Sequence, residues 1–312
     1  MAPDAAPLLA LPPGVSVLER GWLSANNILF EDAGEGAALV DSGYCAHAAQ
    51  TVALVESSLD DAPLARLLNT HLHSDHCGGN AALQARWPQV RTLVPPGHIA
   101  QVRAWDAEAL GYVPTGQECP RFRADGVLAP GGSVPLAGRP WQVHAAPGHD
   151  PHAVLLFEPV SGVLIAGDAL WENGFGVVFP ELSGDGGFAE VADTLDLIET
   201  LAPRLVIPGH GGVFDDVPAA LARARQRLAA FVAEPRRHAR YAAKVLLKYK
   251  LLEWQRLPEA DARAWLRATP YMQLLHRTHF AQQTLDDWAH ALAQELTDGG
   301  AARREDGWLI NV

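Results

Sequence analysis

Lysine is scarce in this chain: its 24 basic residues include three Lys, at 244, 248 and 250, and the rest are Arg. Cysteine is equally sparse. Cys45, Cys77 and Cys119 are odd in number and lack paired spacing, which excludes a disulfide framework and agrees with a reducing compartment. No apolar run reaches the ~18 residues of a membrane span. Met1 to Val17 has no Lys or Arg and no apolar stretch leading to a small-residue cleavage pattern, so no signal peptide is read there. The expectation is a soluble globular protein of the cytoplasm with no membrane partner. A charged fraction of 19% against 48% hydrophobic residues excludes a disordered chain, and 28 Gly with 23 Pro require many turns. At ~150 residues per domain, 312 residues make one large domain or two ordinary ones.

The net charge of -12 is unevenly spread. Residues 1–216 carry 9 Arg and 26 acidic residues, whereas 217–312 carry 12 Arg, 3 Lys and 10 acidic residues, a net of -17 against +5. Two differently built regions therefore meet near Phe214 to Pro218. In the first, short apolar runs alternate with turn signals. Asn27–Phe30, Ala37–Val40, Leu64–Asn69, Val90–Val94, Trp141–His144, Val154–Glu158, Gly162–Ala166 and Arg204–Ile207 read as strands, and Ala46–Leu59 as a helix. Hairpins mixed with helices predict a layered α/β (α+β) fold rather than a doubly wound parallel sheet. The second region is helical in pattern from Pro218 to about Asp298. It ends in two short runs around Asp306-Gly307, a hairpin signal. A winged helix fits this order, as does a hairpin capping a helical subdomain.

His71, His73, Asp75 and His76 fall within six residues behind the Leu64–Asn69 strand, with Gly78 and Gly79 beyond them. Such density exceeds what packing requires. Neutral imidazole and carboxylate suit Zn, Fe or Mn, and the glycines permit a tight loop that aims them at one place. Further ligand types follow strand ends at Pro147-Gly148-His149-Asp150, Ala166-Gly167-Asp168 and Pro208-Gly209-His210.

In this order the motifs resemble the metallo-β-lactamase superfamily, within it the glyoxalase II branch, whose THxHxDHxGG pattern is matched by Thr70 to Gly79. The resemblance spans roughly Gly14 to Phe214 and includes Val40-Asp41-Ser42-Gly43. It implies an αββα sandwich with two divalent metal ions at one edge, zinc being the first choice and iron or manganese acceptable to the same donors. It also implies that one metal binds His71, His73 and His149, the other Asp75, His76 and His210, and that Asp168 bridges them. Asp75 and Asp168 would then be catalytic as well as ligating. Two adjacent cations lower the pKa of a bridging water, so a hydroxide attacks an ester-type bond and no Ser or Cys nucleophile is needed. The 41 residues between Asp168 and His210 leave no room for the inserted domain of the nucleic-acid-processing β-CASP branch. Flavodiiron enzymes carry Glu where this chain has His73.

Substrate contacts are sought around this centre. Trp171 and Phe175, on the Gly-rich loop after Asp168, are the expected acyl wall, and Tyr44 is a third candidate. The segment Pro96–Arg123 reads as an insertion that roofs the site or lies as an amphipathic helix on the surface. His152 reads as a metal-site neighbour or as loop packing. Arg236, Arg240, Lys244 and Lys248 recur at four-residue steps, so a helix there carries a basic stripe. Either the stripe is a solvated face, or Arg236, Arg240 and Lys244 hold an anionic carrier. The favoured substrate is a thioester of glutathione or coenzyme A. A lactone is the alternative, with metal-dependent endoribonuclease and iron-dependent sulfur dioxygenase as further readings. Leu285–Asp298, where a winged helix would read nucleic acid, holds four acidic residues and no Lys or Arg, so a nucleic-acid substrate is disfavoured. Trp254, Trp265 and Tyr271 serve a core or a homodimer interface.

Overall fold

A computed structural model describes residues 10–60 and 62–312. Residues 1–9, part of the segment read above for a signal peptide and the start of the 1–216 region, lie outside the described residues. The first sheet contains β1 (Val15–Leu18), β2 (Asn27–Phe30), β3 (Ala37–Val40), β4 (Leu64–Leu68), β5 (Arg91–Val94) and β6 (Gly126–Val127), side by side in that order. Helix α1 (Ala48–Ser58) joins β3 to β4; α2 (Ser74–Cys77) and α3 (Asn80–Arg86) join β4 to β5; α4 (Ile99–Ala104) and α5 (Tyr112–Thr115) occupy the insertion before β6. The second sheet runs β11-β10-β9-β8-β7, from β7 (Ser133–Leu136), β8 (Arg139–Ala145), β9 (Val154–Glu158), β10 (Val163–Gly167) and β11 (Leu205–Pro208). Between β10 and β11 lie α6 (Phe179–Ser183) and α7 (Phe188–Leu201).

The alternation of side chains along these strands explains the layers. A strand that is apolar at every position buries both faces, and successive residues go to opposite sides. Ile28, Phe30, Ala38 and Val40 face Val154, Leu156, Val163 and Ile165 in one core between the sheets, with Trp141 fully buried among them. Their neighbours Leu29, Ala37 and Leu39 pack outward against α1 and α3, and Leu155, Leu164 and Val206 pack outward against α7 and α8 (Val217–Ala233). This is the expected αββα sandwich. Every strand expected from sequence is present within a residue or two of its ends; β1, β6 and β7 were not expected, nor were helices α2, α3, α6 and α7. The three strands are sheet edges, and β7 carries Pro135, which a central ladder would not accommodate.

The remainder comprises α8, α9 (Pro235–Trp254), β12 (Arg256–Pro258), α10 (Glu259–Ala268), α11 (Pro270–Leu275), α12 (Leu285–Asp298), β13 (Ala302–Glu305) and β14 (Trp308–Asn311). Asp216 caps α8 by accepting from Ala219 N, and Pro235 separates α8 from α9 because its ring cannot continue the preceding helix. Asp306 and Gly307 take φ of 49° and 79°, the left-handed pair that a two-residue hairpin turn needs. β12 adds to β14 to make a three-stranded sheet in the order β12-β14-β13. The charge break at 216/217 and the change of core do not coincide. Helix α8 belongs by packing to the outer layer of the sandwich, and the second core begins with α9, which gathers α10, α11 and α12 together with Val177 and Leu182 of the first region.

Candidate metal centre

The seven expected ligands come from the ends of β4, β8, β10 and β11 and from α2, and they converge at one edge of the sandwich. Donor atoms of His71, His73 and His149 lie within 4.8 Å of one another, as do those of Asp75, His76, Asp168 and His210. Asp168 stands between the groups, with Oδ2 3.4 Å from His149 Nε2 and Oδ1 3.3 Å from His76 Nε2. His210 Nε2 is 3.1 Å from Asp75 Oδ2. The glycines act by permitting contact. A Cβ on Gly79 would lie 2.4 Å from Ser42 O, and one on Gly209 would lie 2.2 Å from Asp168 Oδ1 and 2.8 Å from His76 Cε1.

The surrounding hydrogen bonds decide which ring nitrogens face inward. His149 Nδ1 donates to Val177 O at 2.5 Å, so its Nε2 presents a lone pair. Thr70 Oγ1 donates to Asp41 Oδ2 at 2.8 Å and thereby accepts from His71 Nδ1 at 3.1 Å. The His71 and His149 Nε2 lone pairs consequently face each other at 3.3 Å. His76 Nδ1 donates to Asp41 Oδ2 at 2.7 Å, and its buried Nε2 has no hydrogen-bond partner among the described residues. Opposed lone pairs and an orphaned buried imidazole beside a carboxylate fit divalent cations and are otherwise unfavourable. Asp41, held at φ 58°, thus fixes two ligands at once by accepting from His76 Nδ1 and from Thr70 N and Oγ1.

Burial, then the neighbouring imidazoles, hold the His71 pKa well below 6.5, and burial takes His73 down to about 4. These rings are neutral donors near pH 7. At His76 burial opposes the charged form, but Asp168 and Asp41 outweigh it and hold the pKa well above 6.5. At Asp168 burial is again outweighed, here by His76 and His210, and the carboxyl stays well below its usual range. Both shifts mark a position that favours positive charge.

A cleft of about 600 Å³ opens beside the centre. Trp22, stacked on His210 with ring centroids 5.3 Å apart, forms part of its wall with Trp171, whose Nε1 donates to Asp168 Oδ1 at 3.1 Å. Phe179 and the insertion residues Leu110 and Tyr112 continue it, and Val245, Leu246 and Tyr249 of α9 with Tyr271 of α11 close it. Part of the insertion therefore lines the site.

Trp171 reaches the cleft as expected; the other expected substrate contacts do not. Tyr44 is fully buried, packs edge-on against Tyr249 and accepts from Glu118 N through its hydroxyl. Phe175 is 1% exposed in the core beneath α7 and α8. Arg236 lies over the Phe280 ring, and Arg240 and Lys244 both pair with Glu295 of α12. Lys248 donates to Ala301 O, Asn311 Oδ1 and Val312 O. The basic stripe stitches α9 to α12 and to the terminal hairpin. His152 is loop packing: its ring lies over Gly97 and edge-on to His98. Sequence reasoning passed over Trp22, His98, Asp150, Phe179, Tyr249 and Tyr271, all of which line the cleft. Two of them carried a signal: Asp150 by its place beside His149, and Phe179 by its place on the segment after Asp168 that reads as an acyl wall.

The family profile of the metallo-beta-lactamase superfamily matches residues 20–210, more than half of the chain, and the chain belongs to that superfamily. Curated relatives agree with the glyoxalase II-like resemblance. A hydroxyacylglutathione hydrolase of Dechloromonas aromatica (strain RCB) is 32% identical over 188 residues, covering 59% of this chain and 58% of its own. Another, of Anaeromyxobacter dehalogenans (strain 2CP-C), is 34% identical over 144 residues, 46% of each chain. The chain thus spans about half the length of these relatives. Among solved structures, a beta-lactamase domain protein from Burkholderia ambifaria is 25% identical with TM-score 0.60, covering 99% of this chain and 97% of its own. A metallo-beta-lactamase family protein from Thermus thermophilus, 21% identical with TM-score 0.59 over 97% of this chain and 100% of its own, shares the fold.

Proposed function

We propose that the protein is a dinuclear metal-dependent hydrolase that cleaves an ester-type bond in a small molecule. The observation that carries this reading is the convergence of two ligand sets on Asp168 at the floor of a mostly apolar cleft. His71, His73 and His149 would hold one ion, Asp75, His76 and His210 the other, and Asp168 both, with zinc the first choice. Two such ions supply a water of lowered pKa and polarise a carbonyl oxygen. The chain itself contributes orientation and exclusion of water. Asp41 keeps His76 and, through Thr70, His71 turned inward, the Val177 carbonyl does the same for His149, and Trp171 steadies Asp168.

Thioesters stand first among ester-type bonds because the curated relatives are named hydroxyacylglutathione hydrolases, and glutathione and coenzyme A thioesters are the reference substrates. Lactones stand second, favoured by the apolar wall. The free thiols of Cys45, Cys77 and Cys119 support a cytoplasmic setting, and no described helix is long and apolar enough to cross a membrane. The order of α9 to β14 supports a winged-helix reading of the C-terminal region. The test is thiol release from a thioester panel by zinc-loaded wild type beside Asp168→Asn, with bound metal counted in both. Release by wild type, with metal content and turnover falling together in the variant, is expected. Full metal content and activity in Asp168→Asn overturn the site assignment.

A further inference from the structure

A second cavity, of about 620 Å³, lies between α8 and α9 beside the loop that follows Asp168, and it shares no lining residue with the metal cleft. Five of its ten lining residues are cationic, Arg223, Arg227, Arg237, Arg240 and Lys244, and none is acidic. Glu295 answers Arg240 and Lys244. Arg223, Arg227 and Arg237 have no carboxylate partner among the described residues, although the chain's 36 acidic residues outnumber its 24 basic ones. Their neighbour Arg225, outside the cavity, does find Asp196 and Glu199. Like charges gathered in one concavity repel one another, and a bound anion offsets that repulsion.

Two of the guanidinium groups are already oriented. Arg223 Nε donates to Glu172 O at 2.7 Å; Arg227 Nη1 donates to Phe175 O at 3.4 Å, and its Cζ lies over the Tyr241 ring, 5.5 Å from the centroid. A Cβ on Gly174 would come 2.4 Å from Arg227 Nη1, so glycine there admits the side chain. The terminal nitrogens of Arg223 and the whole Arg237 guanidinium keep their donors uncommitted among the described residues. Several such planar forks facing one space match the oxygens of a multiply charged phosphoryl group. Gln226 and Asn173 add amides, and the volume suits a ligand the size of a nucleotide. A long polyanion fits less well, because these cations are confined to one cavity on a chain of net charge -12. We propose that this cavity binds a small phosphate-bearing molecule at a site separate from the metal centre. The two sites are joined by the Trp171–Gly174 turn, which Arg223 holds on one side while Trp171 Nε1 donates to Asp168 on the other.

Calorimetric titration of adenosine 3′,5′-bisphosphate and of inorganic phosphate into zinc-loaded protein tests the assignment. One ligand per chain is expected, with a Kd that rises about tenfold between ~50 mM and ~500 mM salt. Arg223→Gln with Arg237→Gln should weaken binding at least about tenfold, and Arg237→Gln alone, at an exposed residue, should act in the same direction should the double variant fold poorly. Arg225→Gln, which loses only the pairs with Asp196 and Glu199, should leave the affinity unchanged. Tighter binding of the bisphosphate identifies an organic phosphate and equal affinities identify free phosphate; either result supports the site. Binding should also persist in Asp168→Asn. Binding that is lost in Asp168→Asn and indifferent to the arginine variants places the anion on the metals and overturns the inference. So does the absence of binding to wild type, or tighter binding of a short single-stranded RNA through the same arginines. None of these readouts depends on turnover, so the hydrolase reading stands or falls separately.

Discussion

His238 provides a quantitative check on the join between α9 and the metal centre. It is 1% exposed, and its Nε2 accepts from Val178 N at 3.1 Å, one residue beyond the carbonyl that holds His149. Burial, reinforced by His279, takes its pKa from 6.5 down to about 4. Because the folded pKa is depressed, the unfolded chain binds a proton that the native state refuses between these values, so stability falls as pH falls through this window. At about 1.4 kcal/mol per pKa unit, the full penalty is about 3 kcal/mol, of which about 2 kcal/mol develops between pH 7 and pH 5. His238→Gln keeps an acceptor for Val178 N but does not titrate. Urea unfolding at pH 7 and pH 5 should therefore show wild type losing about 2 kcal/mol more than His238→Gln, while other titrating groups affect both equally. His238→Ala should be weaker than wild type already at pH 7, by the ~1–3 kcal/mol of an unpaired buried N–H. Parallel losses in wild type and His238→Gln would refute the assigned hydrogen bond and its direction.

Other outcomes follow from the same geometry. Asp41→Ala should lower metal affinity about 10- to 100-fold in a chelator competition, because His76 and Thr70 lose their acceptor; unchanged affinity would remove Asp41 from the site. Gly209→Ala should abolish metal uptake measured by elemental analysis, since the added Cβ would collide with Asp168 and His76. Arg240→Gln with Lys244→Gln should leave KM and its salt dependence unchanged and cost at most ~1 kcal/mol, as befits exposed ion pairs with Glu295. A raised KM for an anionic substrate would restore the stripe to the binding surface.

The sandwich and the convergence of its imidazole and carboxylate donors were legible because their signals are local. Strands buried on both faces read as unbroken apolar runs, and four ligands fall within six residues. The edge strands were not legible, since two residues at Gly126–Val127 or a proline at 135 carry no apolar period. Nor was the cleft wall. Trp22, Phe179, Tyr249 and Tyr271 lie far apart in sequence, and an isolated aromatic residue does not reveal whether it faces a core or a cavity. Phe175, close in sequence to Asp168, and Tyr44, close to Asp41, illustrate the converse: both lie in packed interiors behind the site.

Helix α9 shows what decides the meaning of a basic stripe. Its Ala239, Ala242, Leu246 and Leu247 enter the second core, Val245 and Tyr249 reach the cleft, and Tyr249 OH comes within 3.4 Å of Ser74 Oγ on the ligand-bearing α2. The cations of α9 stand on its remaining, partly exposed face, where Arg240 and Lys244 meet Glu295, Lys248 meets the chain terminus, and Arg237, Arg240 and Lys244 line a second cavity with Arg223 and Arg227. Of the four acidic residues of α12, Glu295 meets the basic face of α9, whereas Asp286 pairs with Arg267 of α10. Charge periodicity reports that a helix has a polar face; what that face meets depends on the opposing element, here a helix some fifty residues further along the chain.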